Sequence, residues 1–141
     1  MRPEISTFIM FVVIMTAFFI ANDKFLSPRN IRIVMGITPE YIIVAIGIAI
    51  LMISGEFDLS VGSVFALVPM TMVQLVHQGI PPWFAIALGL SIGIAVGFVN
   101  GFITIRFGIP SFIATLGMLY IARSLTTVAT GGFPPPFPHS L

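Results

Sequence analysis

Glu56 and Asp58 stand two residues apart in Gly-Glu-Phe-Asp-Leu-Ser-Val-Gly-Ser, residues 55–63, within a chain that is 57% hydrophobic and 8% charged. With the hydroxyls of Ser60 and Ser63 they form an oxygen-rich cluster. Such a cluster can hydrogen-bond a polar solute or satisfy the open amides of a helix start. A carboxylate inside hydrocarbon is costly unless it meets water or a partner, so acids placed there tend to mark ion or solute pathways. The other reading is a short turn at a membrane surface, and the residue pattern leaves both open. Glu56, Asp58, Ser60 and Ser63 are the candidate pathway residues.

Other chemistries lack their residues. There is no glycine-rich phosphate loop ending in lysine, no pair of histidines at metalloprotease spacing, and no serine, histidine and acid placed for hydrolysis. The chain has no cysteine, which removes thiolate ligands and thiol redox chemistry. His77 and His139 fall in different loops with no companion ligands, so neither a metal site nor a cofactor is expected. Six basic side chains against five acidic ones leave a formal charge of +1. No polybasic patch results, and no nucleic-acid partner is expected.

The elements that must position the cluster follow from hydropathy. Soluble domains carry about 25% charged residues; this chain carries a third of that, which predicts an all-α, polytopic membrane protein. About five membrane segments are expected, forming a single domain over residues 1–141, with a broken helix around residues 55–63. Residues 5–21 make a first span of about 25 Å, retained because no small-residue cleavage site precedes Asn22. Ser27-Pro28 starts a short helix to Gly36, which either lies in the interface or forms the first turn of the next span. Thr38-Pro39-Glu40 repeats the start signal, with Thr38 as cap and Pro39 at the first position. The helix it opens runs to Ser54, and a further helix begins at Val61 with Asp58 or Ser60 as its cap.

Residues 61–76 form the next segment, and Ile80-Pro81-Pro82-Trp83 turns into a span over residues 83–105. That span carries Ala85, Gly89, Gly93, Gly97 and Gly101 at intervals of four. Small residues in that register let two helix backbones approach closely in lipid, where van der Waals contact drives association. Residues 112–128 form the last span and contain Arg123, expected to snorkel toward the interface rather than pair with an acid. Phe133 and the prolines after it predict an extended segment leaving the membrane.

Residues 55–63 closely resemble Gly-Gly-Ile-Asp-Leu-Ser-Val-Gly-Ser, the signature of membrane permeases of bacterial ATP-binding cassette sugar importers of the ribose and xylose type. The resemblance extends to residues 25–30, to Asn100-Gly101, to residues 109–117, and to Ala122-Arg123 and Thr130-Gly131-Gly132, in the same order. It implies a permease subunit of the bacterial inner membrane, forming part of a monosaccharide pathway, with a cytoplasmic N-terminus. It also implies a second permease subunit, a cytoplasmic ATP-binding subunit that hydrolyses ATP, and a periplasmic sugar-binding protein as partners, besides membrane lipid. The permease itself is then no enzyme. Glu56 departs from the glycine of the signature. Permeases of this family are about twice as long, so the chain reads as their N-terminal half. Two alternatives remain: a permease for a nucleoside or polyol, and a small membrane assembly protein that binds partner helices through the ladder from Gly89 to Gly101.

Overall fold

A computed structural model describes residues 3–133, and the described residues form five helices: α1 (Pro3–Ala21), α2 (Pro28–Ile53), α3 (Val61–His77), α4 (Pro82–Phe107) and α5 (Ser111–Thr130). All but α3 are long and apolar enough to cross a membrane. At 17 residues, α3 spans about 25 Å against a hydrocarbon core of about 30 Å. The chain is a polytopic helical membrane protein with a polar interruption between α2 and α3. The proline-rich segment past Phe133 and His139 lie outside the described residues.

Packing divides the chain into two compact units, residues 1–47 and 48–141. In the first, α1 and the start of α2 expose apolar side chains along their length, as a lipid-facing helix does. The turn between them is built by its polar residues. The Asn22 side chain accepts from the Lys24 amide at 2.9 Å. Ser27 caps α2 by accepting the Asn30 amide, and the Asn30 side chain donates back to the Phe25 carbonyl at 2.7 Å. Ser27-Pro28 is therefore the true start of α2.

Thr38-Pro39 is not a start. The helix runs on through it, so the short segment beginning at Ser27 is the first turns of the span rather than a separate interfacial helix. Thr38 does not cap: its hydroxyl donates to the Val34 carbonyl one turn back, at 2.6 Å. Pro39 has no amide to offer the Met35 carbonyl, but a helix in lipid keeps its remaining bonds because no water can replace them.

In the second unit, α3, α4 and α5 pack pairwise. Leu67, Ala85 and Ala122 are its buried apolar residues, and Ser60, Asn100 and Thr115 its buried polar ones. The small residues of α4 fall into two groups. Ala85 and Gly89 are buried, and a Cβ at Gly89 would collide with Met72 of α3, whose Cγ would lie 2.6 Å away. At Gly93 a Cβ would touch Val68 at 3.7 Å, whereas at Gly97 and Gly101 it would meet nothing. Arg123 is exposed.

Candidate functional site

The interruption at residues 54–60 begins with a glycine. The Gly55 amide bonds the Met52 carbonyl at 3.0 Å and the Glu56 amide bonds the Leu51 carbonyl at 3.2 Å, with Gly55 at φ 82°. This pair of bonds closes α2 in a Schellman motif, whose left-handed residue is nearly always glycine because a Cβ would be strained there.

Past the glycine, the loop amides find side-chain acceptors on α5. Phe57 N–H donates to Ser111 Oγ and Leu59 N–H to Thr115 Oγ1, each at 3.0 Å. Ser111 and Thr115 are four residues apart, which puts their hydroxyls on one face of the helix. The Thr115 hydroxyl hands its own proton to the Ser111 carbonyl at 2.8 Å. Alternate loop amides are thus fastened to successive turns of α5.

Asp58, between those two amides, is held on its other side. Its Oδ1 accepts from the Ser60 amide at 2.7 Å and from the Ser60 hydroxyl at 2.6 Å. Asn100 Nδ2 of α4 donates to Ser60 Oγ at 3.1 Å. The direction of this chain is fixed by proton counting. Ser60 spends its one hydroxyl proton on Asp58, so it can only accept from Asn100, and the amide nitrogen must point toward it. Ser60 is fully buried and Asn100 is 5% exposed. Asn100 Oδ1, the opposite end of that amide, is buried and has no hydrogen-bond partner among the described residues.

The expected cap of α3 is corrected by this geometry. Ser60 occupies the N-cap position, but its side chain makes no capping bond, because its hydroxyl is committed to Asp58. Asp58 in turn holds the amide of Ser60 itself rather than one inside the helix. The two residues lock the loop rather than cap the helix.

The four candidate pathway residues do not share one cavity, although Asp58 and Ser60 are hydrogen-bonded to each other. Glu56 and Asp58 line a cavity of about 450 Å³ together with Ser54, Asn100, Thr104 and Ser111. Ser63 lines a different one, of about 370 Å³, with Arg123 and Thr126. Ser60 is buried at the junction of the loop with α4 and lines neither of these cavities. Asn100, Ser111 and Thr115 were not singled out as site residues, although each lies in a stretch that carries the resemblance. The signal that could have found Asn100 is a lone amide side chain within an apolar span, a placement that calls for a partner.

Four apolar helices of membrane-crossing length and a hydrogen-bonded break beside a cavity define a multi-pass membrane protein. A family profile described as the branched-chain amino acid transport system / permease component matches residues 30–136, and the chain belongs to that family. It is 34% identical to the xylose/arabinose import permease protein XylH of Sulfolobus acidocaldarius, over 98% of this chain and 41% of that protein. It is 35% identical to the ribose import permease protein RbsC of Bacillus subtilis, over 94% of this chain and 40% of the relative. With the autoinducer 2 import system permease protein LsrC of an Enterobacter strain it shares 27% identity, over 92% of this chain and 38% of the relative. The chain thus spans about two fifths of the length of these relatives. No solved structure gives a significant match. Membership in this permease family together with the apolar helices places the chain in the inner (plasma) membrane.

Proposed function

We propose that this chain is the N-terminal part of a permease subunit of an ATP-binding cassette importer and forms part of the route of a monosaccharide across the inner membrane. The observation that carries the proposal is the identity to pentose import permeases over nearly the whole chain. The geometry of the break agrees with it. Transporters place their solute sites at discontinuous helices, where irregular backbone lines a cavity instead of facing lipid. The chain acts as one membrane domain. It works with a second permease subunit, a cytoplasmic ATP-binding subunit that performs the hydrolysis, and a periplasmic sugar-binding protein. Glu56 and Asp58 line the route on one side of the loop and Ser63 on the other, while Ser60 holds the loop in place.

The test is uptake. Deleting the coding region from its host abolishes accumulation of labelled ribose or xylose at low external concentration, and a plasmid copy restores it. Unchanged uptake of every pentose and hexose supplied overturns the proposal. A second reading, a small assembly protein binding partner helices, draws on the open surface at Gly97 and Gly101. In that case Gly97→Leu abolishes co-purification with its partners and leaves uptake unaffected.

A further inference from the structure

We infer that the turn between α1 and α2 binds the phosphate of an anionic membrane lipid, with Lys24 and Arg29 holding the phosphate oxygens and Phe18 and Ile33 lying along the start of an acyl chain. The site is built by residues 18–33 alone and is independent of the transport reading.

α1 has 19 residues, about 28 Å of helix, which matches a hydrocarbon core of about 30 Å. Its apolar side chains are exposed along its length, so its end at Ala21 falls where the core gives way to the headgroup layer. α2 enters the same layer at Pro28. The turn at residues 22–27 therefore stands at the level of the lipid phosphates, and a cavity of about 530 Å³ opens beside it.

The polar lining is a set of donors. Lys24 and Arg29 line the cavity, no acidic side chain does, and neither cation makes an ion pair or side-chain hydrogen bond among the described residues. Asp23, their neighbour in sequence, does not line it. Asn22 gives its oxygen to the Lys24 amide, which leaves its nitrogen as the free end. Ser27 Oγ accepts the Asn30 amide and passes its own proton to no described acceptor. Phosphate oxygens of a diester only accept, so two cations, an amide nitrogen and a hydroxyl suit them. The same hydrogen bonds fix the turn and the first turn of α2 in place, which holds the donors together before a ligand arrives.

The apolar lining says that the phosphate belongs to a lipid. Phe18 stacks on Phe25 with ring centroids 5.8 Å apart, and Phe18 and Ile33 line the cavity while remaining exposed on their helices. A free phosphate ion gains nothing from them, whereas an acyl chain buries its methylenes there. Charge selects among lipids. A phosphodiester carries one negative charge, and the ammonium of phosphatidylethanolamine would bring a third cation beside Lys24 and Arg29. The uncharged glycerol of phosphatidylglycerol avoids that repulsion. Diffuse attraction to an anionic surface takes clusters of roughly four to eight basic residues, so the selectivity here comes from the cavity.

Lipid retention by the whole purified chain in detergent micelles tests this, read by native mass spectrometry as dioleoyl-phosphatidylglycerol or dioleoyl-phosphatidylethanolamine is titrated in. Phosphatidylglycerol is expected to bind at least about fivefold more tightly. Lys24→Gln and Arg29→Gln each weaken its binding about fivefold, and the double variant loses the preference. Arg32→Gln, on an exposed position of α2 outside the cavity, leaves binding unchanged. All three replace exposed side chains without a described partner, and helix content by circular dichroism checks that the fold is kept. Inorganic phosphate and glycerophosphoglycerol, the headgroup without its chains, displace the lipid only at concentrations about a hundredfold higher. Retention of neither lipid, equal retention of both, or an equal loss at Arg32 each overturn the inference. Displacement by either soluble anion at matching concentration does so as well, because the cavity would then take a free anion rather than a lipid.

Discussion

Residues 36–40 and residues 54–60 both set a glycine and an acidic residue among apolar helical turns, yet α2 runs through the first and stops at the second. The first has the stronger local signals, a threonine followed by proline and glutamate. The difference lies in what each would leave unpaired. Interrupting a helix in lipid frees several backbone groups, each of which costs several kcal/mol when unsatisfied. Proline within a helix costs about 3 kcal/mol in all. Continuing through Pro39 is therefore the cheaper course, and Thr38 folds its hydroxyl back onto Val34. At residues 54–60 the freed amides have acceptors waiting on Ser111, Thr115 and Asp58. A helix breaks in this molecule where other parts of the chain accept its amides.

The sharpest way to break this contrast is at Asp58. Asp58→Ala removes the acceptor of both the Ser60 amide and the Ser60 hydroxyl, two charge-assisted bonds worth about 1.5–3 kcal/mol each in soluble proteins and less where an unfolded membrane state finds other partners. A loss of about 3 kcal/mol is expected, read as a lower midpoint of thermal unfolding in detergent. Asp58→Asn keeps an acceptor oxygen at the same place and loses less than half as much. If the two variants unfold alike, the carboxylate charge rather than its geometry holds the loop.

Thr115→Val comes next. It keeps the shape of a side chain only 3% exposed and takes away the acceptor of the Leu59 amide. Leaving that donor unpaired costs about 1–2 kcal/mol. Hydrogen exchange at Leu59 should speed by an order of magnitude or more, while amides in the middle of α4 keep their protection. Uniform acceleration across α4 and α5 would instead mean that Thr115 supports the whole packing of the unit.

These partners also explain what could be read in advance. The helical class and the interruption were legible because each is local: a run of apolar residues makes a span, and Gly55 followed by two acids and a serine ends one. The glycine ladder was equally visible, but which rungs meet a neighbour depends on where Met72 and Val68 arrive. The fastening of the loop was not legible, since Asn100 lies 40 positions from Ser60 and Thr115 lies 56 from Leu59. The wrong helix start at Thr38 came from the same source. Capping residues show that a start is possible, and only distant acceptors decide whether the helix is interrupted.

Thr38→Val tests the other half of the contrast, and the expected effect is small. Were Thr38 an N-cap, losing its hydroxyl would cost about 1 kcal/mol and fray the turn that follows. As a half-buried residue inside α2, it gives up only a bond to the Val34 carbonyl, and the Thr38 backbone amide still serves that carbonyl within the helix. Valine is stiff at χ1 in much the same way as threonine and keeps its bulk. A change within about 0.5 kcal/mol is expected, as for other surface substitutions, with helix content by circular dichroism unaltered. A loss near 1 kcal/mol with reduced helicity would restore Thr38 as a cap. It would also return the interruption at residues 36–40 to the same footing as the one at residues 54–60.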